Sequence, residues 1–146
     1  MVDSRVFDRR LAKLEQLLQD LRRLAKLDRD AFLADRAVQA QAERWLHLAA
    51  ECTIDLANHL IADRGWRTPT TNRETFQILA ENKVLSSDLA NRMEGWAGLR
   101  NILVHLYLQV DLEILSDILR NDLHELESCA AALNRAASDA SEEEPI

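Results

Sequence analysis

The segment 98–107, Gly-Leu-Arg-Asn-Ile-Leu-Val-His-Leu-Tyr, places a few chemically capable groups in an otherwise apolar stretch. An imidazole takes or gives a proton near neutral pH, and a guanidinium presents fork-shaped donors to an anion such as phosphate. Polar groups in a buried stretch need partners, because burying them unpaired costs free energy. The candidate functional residues are therefore Arg100, Asn101, His105 and Tyr107, the last being the only tyrosine of the chain.

Helical spacing relates these four side chains to one another. Arg100 and Tyr107 are seven positions apart, about two turns along one face, and Asn101 and His105 are four apart on one face. Arg100 and His105 are five apart, which separates them by roughly 140° around a helix. They converge only if the arginine side chain wraps around, if the helix ends between them, or if a second subunit completes the site.

A purely structural interpretation of the same residues is favoured on spacing alone. Arg100 would pair with a carboxylate such as Asp55 or Asp111, and His105 would be a core histidine with satisfied hydrogen bonds. Asp55 and Asn58, three positions apart, are candidates to brace Arg100 or His105. Ordinary surface or capping positions account for Asp55 and Asn58 equally well.

Apolar periodicity and capping residues predict an all-α, single-domain bundle of about five helices. Gly65 is suited to end the second helix, and Gly95 and Gly98 are interpreted as allowing a close approach or a kink. The domain is predicted over 1–137, followed by an acidic and disordered tail over 138–146. The predicted helices cover about 4–27, from 30 or 35 to 62, 72–81, 88–104, and from 111 onward.

The charge balance argues against a generally basic nucleic-acid binder. The chain has 146 residues, with 25 acidic and 18 basic side chains, and a net charge of −7. Four of the acidic residues lie in the predicted tail. Residues 64–105 instead carry six basic and four acidic side chains, so the least acidic region contains the candidate residues. Such a run is usually a solvated face, and the alternative is a substrate groove.

The sequence also leads us to expect that this is not a secreted, membrane-spanning, disulfide-bonded or metal-binding protein. The N-terminus does not resemble a secretory signal, and no apolar run is long enough for a transmembrane helix, so we expect a cytoplasmic protein. Cys52 and Cys129 each lie in an apolar helical stretch and are predicted to be reduced core thiols. His47 and His124 lack metal-ligand spacing with either cysteine, so we expect no metal site and no cofactor.

The order of the candidate residues carries a family resemblance. Arg100 is followed by four residues, then His105, Leu106 and Tyr107, which resembles the R-x-x-x-x-H-x-Y signature of the HepT-like ribonuclease toxins in the HEPN superfamily. Asn101 is similar to the polar residue common after the arginine in such motifs. The resemblance extends over most of the chain, through 43–46, 55–62, 73–76 and 110–111.

The resemblance implies an α-helical homodimer in which two copies of the motif face a shared cleft. It implies a metal-independent endoribonuclease of a type VII toxin–antitoxin pair, silenced by a small nucleotidyltransferase antitoxin that transfers AMP to Tyr107. RNA supplies its own nucleophile, the 2′-OH, so Arg100 and His105 would suffice to produce a 2′,3′-cyclic phosphate. Asn101 would orient the imidazole or bind the RNA backbone, and Tyr107 would contact phosphate or stack on a base.

Two alternatives from other classes remain open. A non-catalytic helical module would only bind a nucleotidyltransferase, and a purely structural dimer would have no activity. The tryptophans have comparable alternatives: Trp66, in a predicted loop, either stacks on a base or packs down, while Trp45 and Trp96 are expected in the core or at a dimer interface.

Overall fold

The chain folds into α-helices joined by short connections. The computed structural model describes residues 4–104 and 111–142, with side chains as far as Asp139. Seven helices cover these residues, and they pack as one bundle. Their bounds are α1 Ser4–Ala25, α2 Arg29–Ala34, α3 Arg36–Arg64, α4 Asn72–Glu81, α5 Ser87–Val104, α6 Leu112–Asn121 and α7 Leu123–Glu142.

Side-chain caps at the helix starts explain most of these boundaries. Asp35 Oδ1 accepts hydrogen bonds from the first backbone N–H groups of α3, at 3.0 Å from Ala37 N and 3.2 Å from Val38 N. Thr71 caps α4, whose predicted start is thereby explained, by accepting from Glu74 N at 3.1 Å. Gly65 ends α3 with a φ of 66°, in the left-handed region that glycine adopts without strain, as its position predicted.

The bundle has more helices than the five predicted, for two local reasons. The six-residue α2 follows Asp28, whose side chain caps it by accepting from Asp30 N. The predicted last helix is divided between α6 and α7 at Asp122. Asparagine followed by aspartate favours such a break, because both are poor helix formers.

The last helix also extends beyond the predicted domain boundary at residue 137. α7 continues to Glu142, and Ala136 and Ala137 pack against the core. The alanine-rich turns before the boundary form the helix, and it continues through residues 138–142 because extending an existing helix costs less than starting one. The prediction of disorder for the last four positions falls outside the described residues.

α3 lies at the centre of the fold and packs against α1, α4, α5 and α7. Full burial of a leucine side chain contributes about 1.5–3 kcal/mol, so the faces that meet here supply most of the hydrophobic stabilisation. None of the described helices is both long enough and apolar enough to cross a membrane. Fully buried residues of this core include Leu14, Leu21, Leu46, Leu56, Ile78, Leu79, Met93 and Leu126.

The two cysteines and the two glycines of α5 differ in how closely they are packed. Cys52 and Cys129 are both free, with Cys129 buried and Cys52 half-buried. A Cβ at Gly98 would meet the Arg73 guanidinium Nη2 at 2.6 Å, whereas a Cβ at Gly95 would meet nothing within 4 Å. Gly98 thus allows the close approach of a side chain from α4.

Candidate active site

Arg100 lies in the penultimate turn of α5 and is clamped by a carboxylate from α3. Its Nε donates to Glu51 Oε2 at 2.5 Å and its Nη2 donates to Glu51 Oε1 at 3.0 Å. The hydrogen bonds and charge of Arg100 lower the pKa of Glu51, and those of Glu51 raise the pKa of Arg100. The two side chains are therefore a charged, bidentate pair connecting α3 to α5.

The partner of Arg100 is neither of the two carboxylates predicted from the sequence. Asp111 caps α6 instead, accepting from Glu113 N at 3.0 Å and from Ile114 N at 3.3 Å. Asp55 makes no hydrogen bond to Arg100 among those of the described residues. Glu51 lies one turn before Asp55 on the same face of α3, so the structure replaces the predicted partner with the carboxylate one turn earlier.

Asn101 extends the cluster by one further contact. Arg100 Nη1 donates to Asn101 Oδ1 at 3.1 Å, and the Asn101 side chain is exposed. Asn101 therefore restrains the arginine that precedes it. Its predicted roles toward His105 or the RNA backbone remain predictions.

Asp55 lies one turn along α3 from Glu51, and its surroundings disfavour the ionised form of its carboxyl group. Burial raises the pKa of the Asp55 carboxyl, with Arg10 lowering it and Glu51 raising it further. Arg10 also contacts the ring Nε2 of His59, the next polar side chain one turn along α3. Asp55 thus contributes negative charge toward Arg100 without bonding to it.

Asn58 is engaged elsewhere. Its Oδ1 accepts a hydrogen bond at 3.0 Å from the hydroxyl of Thr75, a fully buried residue of α4. This contact joins α3 to α4 and does not reach Arg100. Asn58 therefore supports the packing that holds α3 in place.

His47, for which the sequence predicts no metal-binding role, is a neighbour of the Glu51–Arg100 pair. It lies one turn before Glu51 on α3, half-buried, with its Nδ1 3.4 Å from Arg44 Nη1. Burial lowers the pKa of His47, while Glu51 raises it and Arg100 lowers it further. The signal that could have identified this cluster is the i, i+4, i+8 spacing of polar residues on an otherwise apolar helix.

His105 and Tyr107 lie outside the described residues. α5 is described as far as Val104, immediately before His105 in the chain. Within residues 4–104 and 111–139, no three His, Cys, Asp or Glu side chains are grouped to hold a metal ion.

The tryptophans are mostly explained by packing. Trp66 is half-buried against the core, with the Arg64 guanidinium 5.6 Å from its ring centre. Trp96 is buried and its Nε1 donates to Glu125 Oε1 at 3.0 Å, so it lies in the core as one of its two predicted positions. Trp45 is half-buried on α3.

Solved structures with the same arrangement of helices define the class of fold. A rebuilt structure of a tri-AMPylated Shewanella oneidensis HEPN toxin in complex with an MNT antitoxin matches with a TM-score of 0.81 and 24% identity, covering 89% of this chain and 97% of that one. YutE, a cytosolic protein of unknown function from Bacillus subtilis, matches with a TM-score of 0.82 and 21% identity, covering 99% and 96% of the two chains. The chain therefore has the all-α fold of a HEPN toxin.

Sequence comparison narrows the class to a family. The family model described as Ribonuclease HepT-like matches residues 14–133. An mRNA nuclease HepT of Shewanella oneidensis is 30% identical over 100 residues, 68% of this chain and 75% of that protein. A tRNA nuclease HepT of Aphanizomenon flos-aquae is 28% identical over 110 residues, 75% of each chain. This chain belongs to the HepT-like ribonuclease family.

The raised pKa of Asp55 yields a prediction about stability. A folded-state pKa above the unfolded one means that ionised Asp55 destabilises the fold at neutral pH, and that this cost disappears as the pH falls below the ordinary carboxyl range, about 3.9. Asp55→Asn should raise the urea midpoint near neutral pH and give no gain in acid.

Asp117→Asn, on the exposed face of α6, is the matched control and should change the midpoint little at either pH. A lower midpoint for Asp55→Asn at neutral pH would show instead that attraction to Arg10 outweighs burial.

Proposed function

We propose that this protein is the toxin of a toxin–antitoxin pair and cleaves RNA without a divalent metal, using Arg100 and His105. The observation that carries the proposal is that two hydrogen bonds to Glu51 hold the Arg100 guanidinium in place. Arg100 lies five positions before His105 in the sequence, and the chain belongs to the HepT-like family. The two relatives are named as nucleases of mRNA and of tRNA, which supports RNA as the substrate class and leaves the particular RNA open. The reaction belongs in the cytoplasm, where such RNA is found.

The chemistry follows from the substrate and from two side chains. The ribose 2′-oxygen attacks the adjacent phosphorus while the bond from phosphorus to the 5′-oxygen breaks. One proton leaves the 2′-OH and one arrives at the departing 5′-oxygen, and His105 is the group able to exchange protons near neutral pH. Arg100 stabilises the negative charge that grows on the phosphate. The products are a 2′,3′-cyclic phosphate and a 5′-OH.

This mechanism predicts RNA cleavage by the purified protein in excess chelator, with cyclic phosphate at the new 3′ ends. His105→Ala and Arg100→Ala should each reduce the rate by about 100-fold or more. Labelled RNA and end analysis of the products provide the measurement. Glu15→Gln, on the exposed face of α1, serves as a surface control with unchanged cleavage.

Two outcomes would contradict the mechanism. One is cleavage by His105→Ala at the wild-type rate. The other is a wild-type protein that never cleaves RNA yet binds a nucleotidyltransferase, the behaviour of a non-catalytic module.

We also propose that the protein forms a homodimer. Exposed apolar side chains near the candidate site support this homodimer. Ile102 is 53% exposed and Val104 42% exposed at the end of α5, and Ile114 is 56% exposed near the start of α6. We name these three residues the apolar patch. They flank, in sequence, the segment that contains His105 and Tyr107, so a second copy seated here would bring two motifs together. Exposed apolar patches commonly mark such interfaces.

Charge introduced into the apolar patch should separate the protomers. The double variant Ile102→Asp, Ile114→Asp should sediment as a monomer where the wild type sediments as a dimer, and should lose cleavage activity by at least about tenfold, since an unpaired buried charge is costly. Ala131→Asp, on the exposed face of α7, should remain dimeric and active. A dimeric double variant would place the interface elsewhere.

Regulation by a nucleotidyltransferase is the last part of the proposal. The enzyme would transfer AMP from ATP to the Tyr107 oxygen, releasing pyrophosphate. The added phosphate brings bulk and negative charge into a cleft that binds phosphate. The Shewanella oneidensis HEPN toxin with a similar fold is itself tri-AMPylated and in complex with an MNT antitoxin, which supports this assignment.

Incubation with ATP and a small nucleotidyltransferase antitoxin of the MNT type should add AMP to Tyr107 and abolish cleavage. Intact and peptide mass spectrometry measure the modification. Tyr107→Phe should remain unmodified at this position and escape inhibition while keeping an aromatic ring. Full inhibition of Tyr107→Phe by the enzyme and ATP would show that another mechanism silences the toxin.

A further inference from the structure

The Glu51–Arg100 pair has the geometry of a clamp on one edge of the guanidinium. Glu51 takes the Nε–H and one Nη2–H, and Asn101 takes one Nη1–H. An arginine has five N–H donors. Within residues 4–104 and 111–139, one N–H on Nη1 and one on Nη2 therefore have no partner, and such a pair can bind two oxygens of a phosphate.

Stability does not account for such a pair at this place. The Arg100 and Glu51 side chains keep 27% and 35% of their exposure, and partly exposed ion pairs contribute about 0–1 kcal/mol. An unrestrained arginine also has about 2 kcal/mol of rotamer entropy to lose when it binds an anion. The clamp removes much of that freedom before the substrate arrives.

The Glu51 carboxylate is attached to a firmly packed part of α3. Glu51 lies on α3 directly after Ala50, which is buried, and one turn before Asp55. α3 is packed on several sides, so the backbone of Glu51 cannot follow movements of α5. Asp55 and His47, one turn to either side, make no such contact with Arg100 within the described part of the chain.

We infer that Glu51 is a positioning residue for RNA cleavage, aiming the free N–H pair of Arg100 at the scissile phosphate. The inference rests on the proposed function and assigns Glu51 a role beyond it. Since Glu51 acts through Arg100 and its charge repels RNA, removing that charge lowers kcat without raising KM. A loss confined to kcat separates positioning from substrate binding.

The test compares two matched ion pairs of the same protein. Glu51→Gln should reduce kcat by about 10- to 100-fold, with KM unchanged or lower and the thermal midpoint unchanged. Glu51→Asp keeps both carboxylate oxygens and should recover part of the loss. Glu127→Gln breaks an equivalent pair between α7 and α1, where Arg22 Nε donates to Glu127 Oε2 at 3.2 Å, and should leave kcat unaltered.

A second measurement does not depend on activity. The Nε–H resonance of Arg100, assigned by its absence in Arg100→Lys, should be protected from solvent exchange in the wild type and should lose that protection in Glu51→Gln. If Glu51→Gln does not fold, Glu51→Ala replaces it, since it also lacks the carboxylate. A wild-type kcat together with wild-type protection of the Arg100 Nε–H in that variant would overturn the inference.

Failure of the inference and failure of the proposed function are distinguishable. Unchanged or faster cleavage by Glu51→Gln, with Arg100→Ala inactive, would overturn the positioning role and leave the ribonuclease proposal intact. Full activity of Arg100→Ala would overturn both.

Discussion

Because α3 is packed against α1, α4, α5 and α7, little of its surface remains for charged side chains. Its apolar faces must be buried to stabilise the bundle, and its polar residues are confined to what is left. His47, Glu51 and Asp55 follow one another at four-residue intervals on that remaining strip. The packing of α3 therefore decides where these three side chains lie and which helix they meet.

Arg100 meets this strip from α5, and the encounter has consequences for both sides. The Glu51 carboxylate binds the partly exposed Arg100 guanidinium through two hydrogen bonds and so fixes its direction. On the same strip, partial burial of the ionised Asp55 carboxylate costs free energy, and no hydrogen bond of the described residues offsets this cost.

The position of this cluster along the chain links it to the rest of the proposed function. α5 carries Arg100 near its end, and the apolar patch begins there and resumes on α6. Phosphate binding, association with a second copy and modification of Tyr107 would then all depend on one short stretch between two helices. Under this proposal, bulk added at Tyr107 would affect every function of the stretch.

Much of the local structure was predictable. The bounds of α4, the glycine that ends α3 and the aspartate that begins α6 follow from capping and turn chemistry, which act over a few neighbouring residues. The division at Asp122 was missed because a leucine periodicity continues across it, so the apolar pattern outweighed two poor helix formers. The extent of α7 does not follow from the composition of 138–142, because a helix that is already formed can continue into residues that would not start one.

The candidate residues in 100–107 were also identifiable from the sequence, since polar groups in an apolar helix and a family-like order of residues are properties of the chain itself. Only the tertiary structure decided the partner of Arg100. Glu51 and Asp55 are one turn apart on the same face, and choosing between them requires the axial offset and rotation of α3 against α5. Those quantities arise from the packing of core side chains distant in sequence, and no local pattern encodes them.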